Sequence, residues 1–520
     1  MTAVKNVLVV VEASGKVDHL RQVLKGLGIY GTVMATLGHV GTNPASLVPI
    51  ELDSDLRETA YRLNPERQSL VNSIHQAAFR ADRIFLAMDD DQEGDVIAYD
   101  LAQELSDFSD KLERVRLRAI SESELRRAFD AAAPIDFKVP AHNGTCRRIV
   151  DRAIGATFSV FDNKAPISTG RVQSSLLAQL SAVRPSIGVF TLEAKLASGD
   201  LLQASIPISS LAEIKRLESI QAVLDAGGGR IVACSETEVT VSTPWGFEDV
   251  VFESSIRLKI GIEEAAKGFQ EVYERGKVSY PRAKANGFTD EAIDTARGLA
   301  KHNRASFDGA LLPGRQGLGG TMPHESPRAL DDEMQLGRAL TVLDTPDAIA
   351  VLISRNMIEC GQLIKVRRVD IDIEGRVFAF STCPTAPMRP WKVPAKQPGV
   401  IRFSLEQALL RYMAEHDLGR SSTIVPHVKK FLRRDLVTGQ GDNPFELTRK
   451  GRRWLEHATS VGLGADTSRR MEARFAEAMD DPSRMARDIL REHGLLGRVQ
   501  DAIGTSKNAD KTTNLAECGM

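Results

Sequence analysis

The sequence predicts a multidomain protein that begins as an α/β domain and continues into separate helical and β-rich parts. Three observations predict this. Its 520 residues exceed what one ordinary hydrophobic core encloses. Asn6 to Val11 is a continuous β-branched run, as expected of a strand buried on both faces of a parallel sheet. From about Pro134 helical periodicity takes over, and it gives way between Val189 and Val251 to short alternating runs.

Each element follows from its local pattern. Glu12 closes the first strand at its carboxyl end. After Ala-Ser-Gly, Lys16 opens a helix whose apolar positions Val17, Leu20, Val23 and Leu24 recur at helical spacing before Gly26. A second run, Arg83 to Met88, leads into Asp-Asp-Asp-Gln-Glu-Gly-Asp95 and then a helix with Ile97, Ala98, Leu101, Ala102 and Leu105 inward. Ligands of open parallel sheets collect at the carboxyl ends of strands, so Glu12, Lys16 and the acidic run are expected to converge. Further on, Ile231-Val-Ala-Cys and Val239-Thr-Val-Ser read as strands, Gly261 to Glu274 as a helix, Val366 to Ser381 as strands, and the chain from Leu405 as helices. No internal repeat is visible. The final stretch, rich in Asn, Lys and Thr, reads as a frayed tail.

Composition excludes several classes. With 42% hydrophobic and 26% charged residues the chain is globular rather than disordered or fibrous. A formal net charge of −2 means that any nucleic-acid contact must rest on local basic patches. The five cysteines, Cys146, Cys234, Cys360, Cys383 and Cys518, form no C-x-x-C pair, which excludes a readable zinc ribbon or redox dithiol and predicts free thiols in a reducing cytoplasm. The apolar run at Val7 to Val11 is too short for a signal sequence, and no stretch approaches membrane-spanning length.

The residues able to do chemistry fall into two groups. Asp89, Asp91 and Glu93 alternate with other residues, so an extended backbone would aim all three carboxylates to one side. Hard oxygen donors of this kind suit magnesium; the competing reading is a solvated acidic turn, and placement after a buried strand favours the metal. Lys16 follows Ser14-Gly15, but Val10 and Val17 occupy required positions of a nucleotide P-loop, so no such loop is present. A lysine opening a helix beside a glutamate can still hold a phosphate.

The second group follows the amphipathic helix at Gly261 to Gly276. In Lys277-Val-Ser-Tyr280-Pro-Arg282 an extended backbone puts Tyr280 and Arg282 on one face, so the guanidinium can meet a phosphate that the phenol attacks. A phenol of pKa ~10 lies roughly 4 kcal/mol from its anion at neutral pH, so a nearby cation or base must assist. Taken alone, Tyr280 reads more readily as a packing residue. His324-Glu325 and Arg328, after the Gly-rich stretch Gly314 to Gly320, could add donors to a phosphate.

These residues resemble a known family. Val11-Glu12-Ala-Ser-Gly-Lys16 is similar to V-E-S-P-A-K, and Met88-Asp89-Asp-Asp91-Gln-Glu93-Gly-Asp95 to T-D-P-D-R-E-G-E, the marks of a Toprim domain. Toprim also occurs in primases and nucleases. Arg147-Arg148-Ile-Val-Asp151-Arg152-Ala-Ile-Gly155 is similar to R-R-V-L-D-R-L-V-G, and Ser168-Thr169-Gly170-Arg171-Val172-Gln173-Ser174 to S-A-G-R-V-Q-S, both specific to type IA DNA topoisomerases. The segments from Tyr273 to Arg282, from His324 to Arg328 and from Leu418 to Thr423 resemble the remaining motifs of that family, in family order.

The resemblance implies a toroid of four domains: Toprim at 1–136, a discontinuous DNA-binding domain at 137–185 and 401–500, a β-rich arch at 186–254 and 362–400, and a helical domain at 255–361 with the active-site tyrosine, followed by a tail at 501–520. It implies single-strand cleavage through a 5′-phosphotyrosyl link, strand passage and resealing, with Mg2+ and without ATP or another nucleotide cofactor, by a cytoplasmic monomer acting on single-stranded or underwound DNA. By position, Tyr280 is the nucleophile, Arg282 its phosphate partner, Glu12 the acid or base and a metal neighbour, Lys16 the phosphate holder, and His324 an assistant. Asp89, Asp91 and Glu93 bind the metal. His39, Arg147, Arg148, Asp151, the Ser168 to Gln173 segment, Arg328 and Arg420 are expected along the DNA path. Two departures are visible: Arg282-Ala-Lys284-Ala stands where the family has R-T-D-S, and no cysteine pattern matches the zinc ribbons many members carry. A Toprim nuclease or primase-like enzyme, or a non-enzymatic DNA-binding member, are the alternatives.

Overall fold

The structure, a computed structural model, describes residues 4–135, 137, 142–162, 166–196, 199–284, 287–312, 325–382, 387–391, 398–477 and 480–505. The chain forms two compact units, one of 1–178, 274–276 and 453–520 and the other of 179–273 and 277–452.

The first unit opens with β1 (Val4–Val11), α1 (Val17–Gly26), β2 (Ile29–Ala35), the short β3 (Gly41–Thr42) and β4 (Arg62–Leu63), α2 (Gln68–Arg80), β5 (Arg83–Asp89), α3 (Gln92–Glu104), β6 (Leu112–Leu117), α4 (Glu122–Asp130) and β7 (Ala133–Pro134). Five of these strands form one sheet in the order β2-β1-β5-β6-β7, parallel except for the β6–β7 pair. The β-branched run of β1 is explained by its place: Val7, Val9 and Val11 enter the core under α1 and α4, and Leu8 and Val10 enter the core under α2 and α3. The connection out of β1 goes to β2 on one side, and that into β5 arrives on the other. A crevice at the carboxyl ends of β1 and β5 is therefore the topological switch point, where α/β sheets collect ligands.

After this sheet come α5 (His142–Phe158) and α6 (Arg171–Ala182). The second unit then builds β8 (Gly188–Lys195), β9 (Leu201–Ile208), α7 (Leu211–Asp225), β10 (Arg230–Thr240), α8 (Phe247–Arg257), α9 (Ile262–Glu274), α10 (Asp290–His302), α11 (Thr345–Cys360), β11 (Leu363–Ile373), β12 (Arg376–Thr382), β13 (Gly399–Arg402), α12 (Leu405–Glu415) and α13 (Ile424–Arg433). Six strands form a sheet in the order β10-β11-β12-β9-β8-β13. The two short runs read around Ile231 and Val239 are one continuous strand, β10, antiparallel to β11. The same β-rich stretch also holds α7, whose buried Ile214, Leu217, Ile220 and Leu224 keep helical spacing and whose first turn is capped by Ser210. A separate helical core gathers Phe288, Leu299, Met357, Ile358 and Trp391.

The chain returns to the first unit with α14 (Arg449–Ser460), α15 (Thr467–Phe475) and α16 (Pro482–Glu492). Ile149, Val150 and Ile154 of α5 pack with Met471, Phe475, Ile489 and Leu490 in one apolar cluster. Of the expected tail, 506–520 lie outside the described residues, as do Gly314 to Gly320. No helix among the described residues is long and apolar enough to cross a membrane.

Candidate active site

At the end of β1 the backbone runs through Glu12 into a single helical turn at Ser14–Lys16, which leads directly into α1. Lys16 is fully buried there, and its Nζ lies 2.5 Å from Oδ1 of Asp89, the last residue of β5. Two unit charges at this distance in a buried setting hold each other firmly, and removing one leaves the other desolvated.

The acidic run is not extended, which corrects the expectation that its three carboxylates share one strand face. Asp89 ends β5, Asp91 is the N-cap of α3 and Glu93 lies in that helix's first turn. The physical cause is capping: Asp91 Oδ1 accepts from the Gly94 N–H at 2.6 Å, so the chain turns into a helix instead of continuing as strand. Gly94 is required by the same turn, because a Cβ at that position would sit 2.2 Å from the Asp89 carbonyl oxygen. Glu93 and Asp95 in the first turn complement the helix dipole. The second acid, Asp90, is buried and pairs with Arg118 at 2.7 Å and Arg116 at 3.3 Å.

His39 faces this turn. Burial lowers its imidazole pKa, Glu93 and Asp91 oppose that shift, and Arg148 adds to it, which puts the histidine within electrostatic reach of the two outer acids and of α5. Among the described residues no three His, Cys, Asp or Glu side chains already stand close enough to hold a metal ion together. The donor set at the turn, Asp91 and Glu93 beside Asp89, is nonetheless entirely carboxylate oxygen, the chemistry that a hard divalent cation takes.

Helix α5 lies alongside. Arg147 donates to Gln92 Oε1 at 2.7 Å and to Glu472 at 2.8 Å, and packs over the Phe475 ring. Arg148 makes a bidentate pair with Glu58 and lies 3.7 Å over the Tyr61 ring. Arg152, four residues on, donates to the carbonyls of Pro44, Ser46, Pro49 and Ile50, clamping the loop after β3. Arg171 is buried and pairs with Asp151 and Glu472, both at 2.7 Å. Burial works to lower its pKa, but the two carboxylates outweigh burial and raise it. Thr169 is held by the Phe158 carbonyl and Ser159, Val172 and Gln173 are buried, Ser168 is exposed, and Gly170 leads into α6.

In the second unit the tyrosine segment follows α9 through Gly276, whose φ of +69° suits glycine. Val278 pairs antiparallel with Ala329, and Ser279 and Arg328 exchange two hydrogen bonds, Ser279 N to Arg328 O at 2.9 Å and Arg328 N to Ser279 Oγ at 3.0 Å. Tyr280 is buried, with its ring edge-on to Tyr273 at 5.8 Å between centroids. Arg282 is half-buried two residues on, and Lys284 pairs with Asp417 at 2.9 Å.

Arg328, expected along a DNA path, is instead fully buried and paired with Glu325 at 2.6 Å and Glu291 at 3.2 Å. Glu325 in turn accepts from Thr289 N and Oγ1 at the start of α10. These bonds tie the segment beside Tyr280 to the first turn of α10. Arg420 is half-buried, and its carbonyl accepts from Thr423 and Ile424 at the head of α13. His324 lies outside the described residues. Sequence reasoning passed over Asp90, Glu58 and Glu472 as counter-ions of the motif cations and read Glu325 only as a possible phosphate neighbour; local charge pattern cannot reveal which distant carboxylate the fold brings to a given arginine.

A family model of the Toprim domain matches residues 7–121, and one described as DNA topoisomerase matches residues 138–316. DNA topoisomerase 1 of Campylobacter jejuni is 24% identical over 419 residues, covering 72% of this chain and 59% of its own. That of Aquifex aeolicus is 28% identical over 53% of this chain and 52% of its own, and that of Mycobacterium tuberculosis 26% identical over 56% of this chain and 37% of its own. The chain thus spans about four to six tenths of these relatives. The solved structure of full-length topoisomerase I from Thermotoga maritima superposes with a TM-score of 0.63 at 17% identity, covering 94% of this chain and 90% of that one, a likeness of fold. Sheet order, switch point and motif residues define a Toprim protein. Over both matched stretches the chain is similar to type IA topoisomerases.

Proposed function

We propose that the chain is a magnesium-dependent, ATP-independent DNA topoisomerase that cleaves one strand with Tyr280, lets DNA pass and reseals the break, relaxing underwound DNA or separating linked molecules. The observation that carries this reading is the switch-point cluster, in which Lys16 holds Asp89 next to the Asp91-capped turn, in a chain that also keeps Glu12, Tyr280 and Arg282.

In the cleavage step the Tyr280 oxygen bonds to the scissile phosphorus, losing its proton to solvent or a neighbouring base, and the bond from phosphorus to the 3′ oxygen breaks. Glu12 gives a proton to the departing 3′ oxygen. In resealing Glu12 takes that proton back, the 3′ oxygen attacks phosphorus and the tyrosine leaves. The phosphotyrosyl bond conserves the energy of the cut linkage, so no nucleotide is consumed. Arg282 and Lys16 balance negative charge on the phosphate. Asp91 and Glu93, with Asp89, would hold Mg2+, which when bound neutralises phosphate charge and orients the strand.

The substrate in this reading is single-stranded or underwound DNA, met by a monomer, with His39, Arg147, Arg148, Arg171, Gln173 and Arg420 placing the strand or holding the residues that do. A covalent protein-DNA adduct formed by the wild-type chain and absent in Tyr280→Phe tests it. Cutting that persists in Tyr280→Phe would make the chain a Toprim nuclease instead.

A further inference from the structure

The face of the Toprim sheet next to the acidic turn carries a second feature that strand cleavage does not use. Arg114, Arg116 and Arg118 alternate along and just past β6, so their side chains leave one face of the strand. They line a cavity of about 650 Å³ closed by α3, α4 and the start of α5, with Arg127 contributed by α4. That volume is within the range that holds small molecules.

Among the described residues, four arginines line the cavity against the carboxylates of Asp95 and Glu124, with Asp90 behind them. Arg114 is spent on the fold, since it donates to the carbonyls of Met88 and Asp89 and to Asp95. Arg116 and Arg118 are different. Arg116 meets Asp90 and Asp95 through one terminal nitrogen, and Arg118 meets Asp90 through Nε. Their other guanidinium N–H groups have no protein partner among the described residues, although both side chains are only half exposed, at 50% and 45%. A guanidinium fixed on one edge presents its other donors in a set direction, the arrangement that receives phosphate oxygens. The rest of the lining combines the polar side chains of Gln92 and Asn143 with apolar or aromatic ones, among them Tyr99, Ala128 and Ile135.

We propose that this cavity is a binding site for a phosphate monoester on a flat organic body, the chemistry of a mononucleotide, with the phosphate at Arg116 and Arg118 and the ring against Tyr99, Ala128 and Ile135. A free nucleotide and the phosphorylated end of a DNA strand carry the same phosphate chemistry. The proposal does not depend on strand cleavage.

Isothermal titration of the full chain with adenosine 5′-monophosphate tests it, with adenosine and inorganic phosphate as separate arms. The monophosphate binds more tightly than either part alone, and its affinity falls as salt rises. Arg118→Gln weakens it tenfold or more. Ala131→Trp, which fills the exposed mouth and leaves every charge in place, abolishes it. A 5′-phosphorylated single-stranded octanucleotide that displaces the monophosphate, where its unphosphorylated twin does not, identifies strand ends as the source; failure to displace identifies the free nucleotide. No binding by the wild-type chain at millimolar monophosphate, or equal binding by wild type and both variants, overturns the proposal.

Discussion

Lys16 and Asp89 come from the ends of two neighbouring parallel strands and meet as a buried ion pair, Nζ to Oδ1 at 2.5 Å. The pair ties the turn after β1 to the acidic turn after β5, so that a change on one side is felt on the other. Replacing either partner alone takes a close counter-charge from a buried group, a loss of about 3–5 kcal/mol. Lys16→Met and Asp89→Leu should each destabilise the fold strongly. The double variant should recover most of the loss, as read by a double-mutant cycle in chemical denaturation. Additive losses would mean that the two residues do not support one another.

Gly94→Ala tests the acidic turn. The new methyl group would meet the Asp89 carbonyl, which cannot give way without moving β5 or α3. We expect about 1–3 kcal/mol of lost stability, the usual result of overpacking, and loss of DNA cleavage. A crystal structure of an active, undistorted Gly94→Ala variant would contradict this account of the turn.

Arg328 distinguishes a positioning role from a phosphate contact. Buried between Glu325 and Glu291, it should act on the Tyr280 segment through the backbone it shares with Ser279. Arg328→Met therefore lowers the melting temperature while leaving the dependence of single-strand binding on salt unchanged. A slope reduced by about one, the signature of a lost phosphate contact, would show that Arg328 touches DNA.

Asp100 gives a pH prediction. Burial raises its carboxyl to about 6, against the lowering effects of the Tyr61 hydroxyl and Arg148. A folded pKa above the unfolded value means that stability is fully present below about pH 4 and is lost as pH rises through about 6. Asp100→Asn removes that loss, so the variant should gain stability over wild type between pH 5 and pH 8. A gain that does not change with pH would place the effect elsewhere.

Much of the first unit was legible in the sequence because its signals are local. The run Val7 to Val11 is apolar at every position since both sheet faces are covered, and the carboxylates directly follow a second such run. The turn itself was not legible. Asp91 leaves the strand because its side chain caps α3, and an alternating D-x-D-x-E pattern reads equally well as strand. Burial of Arg171 and Arg328 was hidden for another reason: Arg171 pairs with Glu472, 301 positions away, and Arg328, in an irregular segment, with Glu291 of α10. Helix α7 escaped notice inside a β-rich stretch, although its inward leucines and isoleucines keep the helical period.

Relaxation of negatively supercoiled plasmid by wild type and Tyr280→Phe, each with magnesium and with EDTA, tests the central claim most directly. The account predicts relaxation by wild type with magnesium alone and none by Tyr280→Phe under either condition. Relaxation or nicking by Tyr280→Phe would contradict it.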